Sequence, residues 1–110
     1  MKGTNLGEFE ELVLLTVGIL NNEAYSISIA QEIGRITKRS VSFAVVHSAL
    51  NRLEEKGYVD SKLGGATNER GGRSKRIFTI SKSGKKVLLL AKEQRDELWS
   101  LIPKAVFKNI

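Results

Sequence analysis

The chain has 110 residues, 41% hydrophobic and 27% charged, which is the balance of one folded domain and excludes a disordered segment. It has no cysteine and a single histidine, so disulfide staples, thiol catalysis, cysteine-based zinc sites and paired-histidine chemistry are excluded, and a reducing cytoplasm fits. Lys and Arg number 18 against 12 Asp and Glu, a net +6, and the excess is local: residues 62–86 hold eight bases and one acid for +7, leaving −1 elsewhere. Such a basic strip beside a near-neutral body is the footprint of a polyanion partner, although a solvated loop tuned for solubility carries charge equally well.

The first predicted helix covers residues 7–21. Phe9, Leu12, Val13, Thr16, Val17 and Leu20 recur at i, i+3, i+4 spacing, and Leu15 and Ile19 widen the stripe, which marks a helix central to the fold. Its apolar run, residues 12–20, is broken by Thr16 and Gly18 and falls far short of the ~20 residues a membrane span needs. The acidic N-terminus lacks the hydrophobic region of a signal peptide, so a cytoplasmic protein without a membrane partner is expected.

A second helix begins after Ser26, read as its cap, with Ile29, Ile33 and Ile36 as its buried line and the polar run 37–40 as its close. A third has Ser42 as N-cap and Gly57 as the left-handed C-terminal residue. Phe43, Val46, Leu50 and Leu53 form its seam. At 100° per residue, Ala44, Ser48, Asn51 and Glu55 face away from that seam, with His47 and Arg52 on the flanks. The open side is therefore small and polar, where an ordinary surface helix carries long Glu and Lys.

Residues 58–63 and 75–81 suit strands; the second alternates, with Ile77 and Thr79 on one face and Phe78 and Ile80 on the other. Residues 64–74 between them hold four glycines and no apolar side chain larger than alanine, a mobile hairpin loop with arginines at its tip. The last helix runs from Ser81 as cap over residues 82–102 to Pro103, with Val87, Leu88, Ala91, Leu98 and Ile102 as its stripe and Trp99 at the edge.

Three helices, a basic hairpin and a long helix make a mainly α chain with a small β-hairpin: a winged helix-turn-helix in residues 1–81 and a C-terminal dimerisation helix and tail in residues 82–110. In that architecture the third helix enters the DNA major groove and the hairpin touches the adjacent backbone. Ala44 and Ser48 give clearance to approach base edges, Asn51 can bond two groups of an adenine, and Arg52 reaches guanine or phosphate. Arg70, Arg73, Lys75 and Arg76 neutralise phosphates, while Tyr25 and Ser42 lie at helix starts placed for backbone contacts. A 20-residue amphipathic helix at a chain end has too little local core to cover its stripe. Pairing with a symmetry mate covers it, using Phe9, Val13, Leu88, Ala91, Leu98, Trp99 and Ile102 of the first and last helices.

Residues 6–15 (LGEFEELVLL), 45–57 (VVHSALNRLEEKG) and 69–76 (ERGGRSKR) resemble the first helix, the recognition helix and the wing of PadR-family transcriptional regulators. The resemblance spans nearly the whole chain. It implies a repressor-type homodimer on a palindromic operator, of the compact branch that has a single C-terminal helix and no larger ligand domain. Many members carry a tyrosine, associated with DNA-backbone contact, where His47 stands, so the resemblance gives His47 that role as a donor. It also implies that a flat aromatic effector can sit between the last helices on Trp99; Trp99 as a plain interface anchor is the simpler reading.

Other signals are weaker. Gly72-Arg73-Ser74 lacks the upstream glycine of a phosphate loop and leads into a strand. His47 and Ser48 are helix neighbours that do not face each other, which argues against a nucleophile and against an enzyme. Asp60, Asp96 and Glu97 form no metal cluster, and no cofactor is expected. The remaining alternative from another class is a winged-helix adaptor that binds protein alone.

Overall fold

The computed structural model describes residues 5–64 and 75–110. Its elements run α1 (Glu8–Leu20), a 3-10 turn (Asn21–Glu23), α2 (Ser26–Thr37), α3 (Phe43–Glu55), β1 (Val59–Leu63), β2 (Arg76–Ile80), α4 (Lys82–Leu101) and a second 3-10 turn (Lys104–Phe107). The strands pair antiparallel, Val59 opposite Ile80 and Leu63 opposite Arg76. Every predicted helix and strand is present within a residue or two of its expected ends, and the hairpin loop expected over residues 64–74 lies, from residue 65, outside the described residues.

The core is the contact of α1 with α2 and α3, closed by the hairpin. Val13, Leu14 and Val17 of α1 meet Ile29 and Ile33 of α2 and Val46, Leu50 and Leu53 of α3, all at most 2% exposed. Phe78 plugs this core from β2, and its backbone N–H donates to the Ala24 carbonyl at 2.8 Å, tying the wing to the start of α2. The expected caps at Ser42 and Ser81 form: each hydroxyl accepts the N–H three residues on, from Val45 at 3.3 Å and Gly84 at 3.0 Å. Gly57 takes the left-handed backbone foreseen for it, at φ 80°.

Several details differ from the sequence reading. Ser26 is the first residue of α2 and not its cap; the Ser28 hydroxyl accepts the Tyr25 N–H there instead, at 3.0 Å. Ile36 shares the face of Ile29 and Ile33 but sits in the terminal turn of α2, half exposed. Phe43 does not join the seam of α3. The buried arc is centred on Val46, Ala49, Leu50 and Leu53, so Phe43 lies at its rim in the first turn, exposed. Val13 and Ala91, assigned to a dimer contact, are buried inside the protomer and cannot meet a second chain as it stands.

An ion-pair cluster joins the N-terminus of α1 to the end of α3. Glu10, nearly buried, accepts from Lys56 Nζ at 2.7 Å, Arg52 Nε at 2.8 Å and the Gly7 N–H at 3.1 Å. Burial alone would raise its carboxyl, but Lys56, Arg52 and the Gly7 N–H overcome this and hold it at about 2. Because that lies below the ordinary 4.5, the stabilisation is present above about pH 4.5 and is lost as pH falls toward 2. Glu10→Gln is expected to cost about 2–3 kcal/mol at neutral pH and to flatten the acid limb of thermal stability, the two proteins converging near pH 2.

Candidate nucleic-acid interface

Because Val46, Ala49, Leu50 and Leu53 take up one side of α3, its opposite side carries Ala44, Ser48, Asn51 and Glu55 in an exposed row. Among the described residues no hydrogen bond or ion pair engages the side chains of Ser48 or Asn51. Both are free to bond an external group. Short side chains in this row leave the helix slender enough to sit in a groove.

One flank of the row faces the wing. There the Nδ1 of His47 lies 3.4 Å from the Ser26 hydroxyl. Lys75 Nζ donates to the Tyr25 hydroxyl at 3.3 Å and stands 4.3 Å above that ring. Arg76 donates from Nε to the Ser61 hydroxyl at 3.0 Å and stands 3.6 Å from Glu54. Tyr25, Ile27, Phe43, His47, Lys75 and Arg76 line a shallow concavity of about 170 Å³. Four residues foreseen as backbone contacts from three separate stretches of sequence thus share one wall.

The other flank faces α1. Arg52 is half exposed with its Nε held by Glu10, and Arg39 lies 3.5 Å from Glu8 and 5.8 Å over the Phe9 ring. With Phe9, Ser40, Ser42 and Val45 they line a wider concavity of about 520 Å³. Ser42 lies at this end of α3, away from the His47 wall. Arg70 and Arg73 fall outside the described residues. Arg39, in sequence only part of the polar run that closes α2, joins this wall as an additional cation, and its position just ahead of α3 is the sequence signal for it.

On α4 the picture is mixed. Leu98, Trp99 and Ile102 are exposed, Phe9 and Leu88 half-buried. Exposed Leu15 of α1 and Leu89 of α4 extend the apolar surface of Leu88 and Trp99, whereas Phe9 lies on the α3 flank. Glu11, bridged by Arg95 at 2.8 Å, borders a groove of about 400 Å³ lined by Leu15, Leu88, Leu89 and Trp99. Past Pro103 the chain turns back and stacks Phe107 on Trp99, ring centroids 5.8 Å apart and 18° from parallel. The segment expected only as a tail thus returns onto α4, and the apolar Val106-Phe107 pair after a proline is the sequence signal for that return.

Among the described residues no helix is long and apolar enough to cross a membrane, and no group of three or more His, Asp or Glu side chains could hold a metal ion.

Several solved structures share this arrangement. A PadR family transcriptional regulator from Eggerthella lenta matches 93% of this chain and 88% of its own, with a TM-score of 0.68 at 20% identity. A PadR-like transcription factor from Bacteroides fragilis matches 84% of each chain, with a TM-score of 0.69 at 19% identity. A PadR family transcription regulator from Clostridium difficile matches 82% of this chain and 92% of its own, with a TM-score of 0.61 at 22% identity. No protein-family model matches the chain, and no curated protein does. At such identities the likeness establishes the fold, which is the winged helix-turn-helix fold of the PadR regulators: mainly helical, with one small hairpin.

Proposed function

We propose that the protein is a sequence-specific, DNA-binding transcriptional regulator of the PadR type, acting as a homodimeric repressor on a palindromic operator. The observation that carries this reading is the unengaged row of Ala44, Ser48 and Asn51 on α3 between two walls bearing cations. In the proposed complex α3 lies in the major groove. Ala44 packs against base edges, and Ser48 and Asn51 bond them. Arg52 reads a base or a phosphate from the edge of the row with the part of its guanidinium that Glu10 leaves free. Tyr25, His47, Lys75 and Arg76 hold the phosphate strand on the wing side, Ser42 the other strand, and Arg70 and Arg73 extend the wing's grip.

Residues 1–81 form the DNA-binding unit in this scheme and residues 82–110 the dimerisation element. The paired surface uses Leu98, Trp99 and Ile102, with Leu88 at its margin, and adds Leu15 and Leu89; Phe9, expected at this contact, lies instead on the α3 flank beneath Arg39. A twofold dimer presents two copies of α3 to successive major grooves, so the site it reads is an inverted repeat.

Selection of bound duplexes from a random pool tests the reading. It predicts an inverted repeat with half-site centres about 10 base pairs apart or a multiple of that. Asn51→Ala is expected to relax preference at one position of each half-site by about 10- to 100-fold, whereas Lys75→Ala weakens all duplexes alike. Recovery of no consensus, or salt-insensitive capture of protein without any duplex affinity, would favour the adaptor class instead.

The groove beside Trp99 supports a second reading, in which a planar aromatic effector enters the dimer interface and relieves repression. Binding there quenches the fluorescence of Trp99, the one tryptophan of the chain. No quenching across a broad set of planar aromatic compounds leaves Trp99 as an interface anchor only.

A further inference from the structure

Phe43, Ala44 and Val45 form the first turn of α3 and all are exposed, Phe43 by 57% and Val45 by 52%. Leaving large apolar groups in water forgoes burial worth roughly 1.5–3 kcal/mol each, so two of them flanking Ala44 call for an occupant. Their surroundings specify it. Phe43 stands on the wall with Lys75 and Arg76, and Val45 on the opposite wall with Arg39 and Arg52. An apolar tip between two cationic walls complements a groove bordered by two phosphate strands, whose floor carries an apolar group at one base alone, the C5 methyl of thymine. A protein's apolar patch set on this narrow strip would have to desolvate the cations on both sides.

We propose that Phe43 and Val45 read thymine methyl groups at the operator positions facing the first turn of α3. The inference rests on the DNA-binding reading and adds a base preference to it. Phe43 and Val45 point to opposite sides of Ala44, so each covers its own position, and the two readings are separable.

Deoxyuridine replaces thymine with loss of the methyl alone, every hydrogen-bonding group being kept. On the selected operator, deoxyuridine at one or two thymines of each half-site is expected to weaken wild-type binding by about fourfold per methyl removed, the loss of one buried carbon. Phe43→Ala and Val45→Ala abolish this sensitivity, each at its own position. The inference is overturned if deoxyuridine is neutral at every thymine of the site, a result read on the wild-type protein and independent of how the variants fold. It is equally overturned if both variants keep the full sensitivity. Failure of the underlying reading is distinct: the wild-type protein then prefers no operator over a scrambled duplex, and the methyl inference falls with it.

Discussion

Gly84→Ala is expected to cost the protein at least about 3 kcal/mol, a large share of the roughly 5–15 kcal/mol that holds a domain of this size together. Gly84 lies buried in the first turn of α4, where the helix crosses the base of the hairpin. A Cβ added there would stand 2.8 Å from Ile80 Cγ2 and 3.0 Å from the Tyr58 carbonyl carbon, with the Tyr58 oxygen closer still. Ile80 can change rotamer; Tyr58 cannot, because the obstacle is main chain. Its carbonyl accepts the Ser81 N–H at 3.0 Å, so the strand and the start of α4 are bound together at the point of contact. Relief therefore requires α4 to lift from the wing. Gly18→Ala is the matched control, since its Cβ would meet only the Ile80 Cδ1 tip at 3.1 Å while gaining helix propensity, for a net change within about 1 kcal/mol. Thermal unfolding of the two variants reads the difference. A Gly84→Ala protein as stable as wild type would mean that α4 does not dock on the hairpin as described.

The second large effect concerns assembly. Leu89 and Leu98 are 64% and 66% exposed in the protomer, so replacing both by glutamate removes little of its own core. In a symmetric pair the same changes bring charges into an apolar contact from both sides. On the proposed assembly the wild type is expected to sediment as a dimer and the double variant as a folded monomer. Its operator affinity should fall by at least about 100-fold, because each half-site is then bound without the effective concentration supplied by the other. A variant that remains dimeric would put the interface on another surface.

The sequence carried most of this fold because its punctuation is local. Ser42, Ser81 and Gly57 fix the ends of α3 and α4 through bonds and backbone angles within three residues of themselves, and Pro103 stops α4 without help from packing. Periodicity told which side of α3 is closed, hence the open row of Ala44, Ser48 and Asn51. It did not tell how far the neighbouring elements reach along the axis, which is why Phe43 and Ile36 share or border the apolar face yet stay in water. Nor does hydrophobicity separate a protomer core from a subunit contact, since both demand apolar side chains; Val13 and Ala91 fell on the wrong side of that divide. The hold of Glu10 on Arg52 spans 42 residues of sequence, and the stack of Phe107 on Trp99 depends on a chain reversal after Pro103. Neither leaves a periodic trace.

On the proposed reading, the open face of α3 and the cationic wing lie together against a duplex, once from each of two protomers. Equilibrium binding of the selected inverted repeat across a range of salt concentrations tests it most directly. With four to six phosphates neutralised per protomer, two protomers per duplex and a log–log salt slope of about −7 to −11 are expected. Affinity at least about a thousandfold above that for a scrambled duplex is also expected. A slope near zero, or equal binding of the two duplexes by the wild-type protein, would contradict the reading.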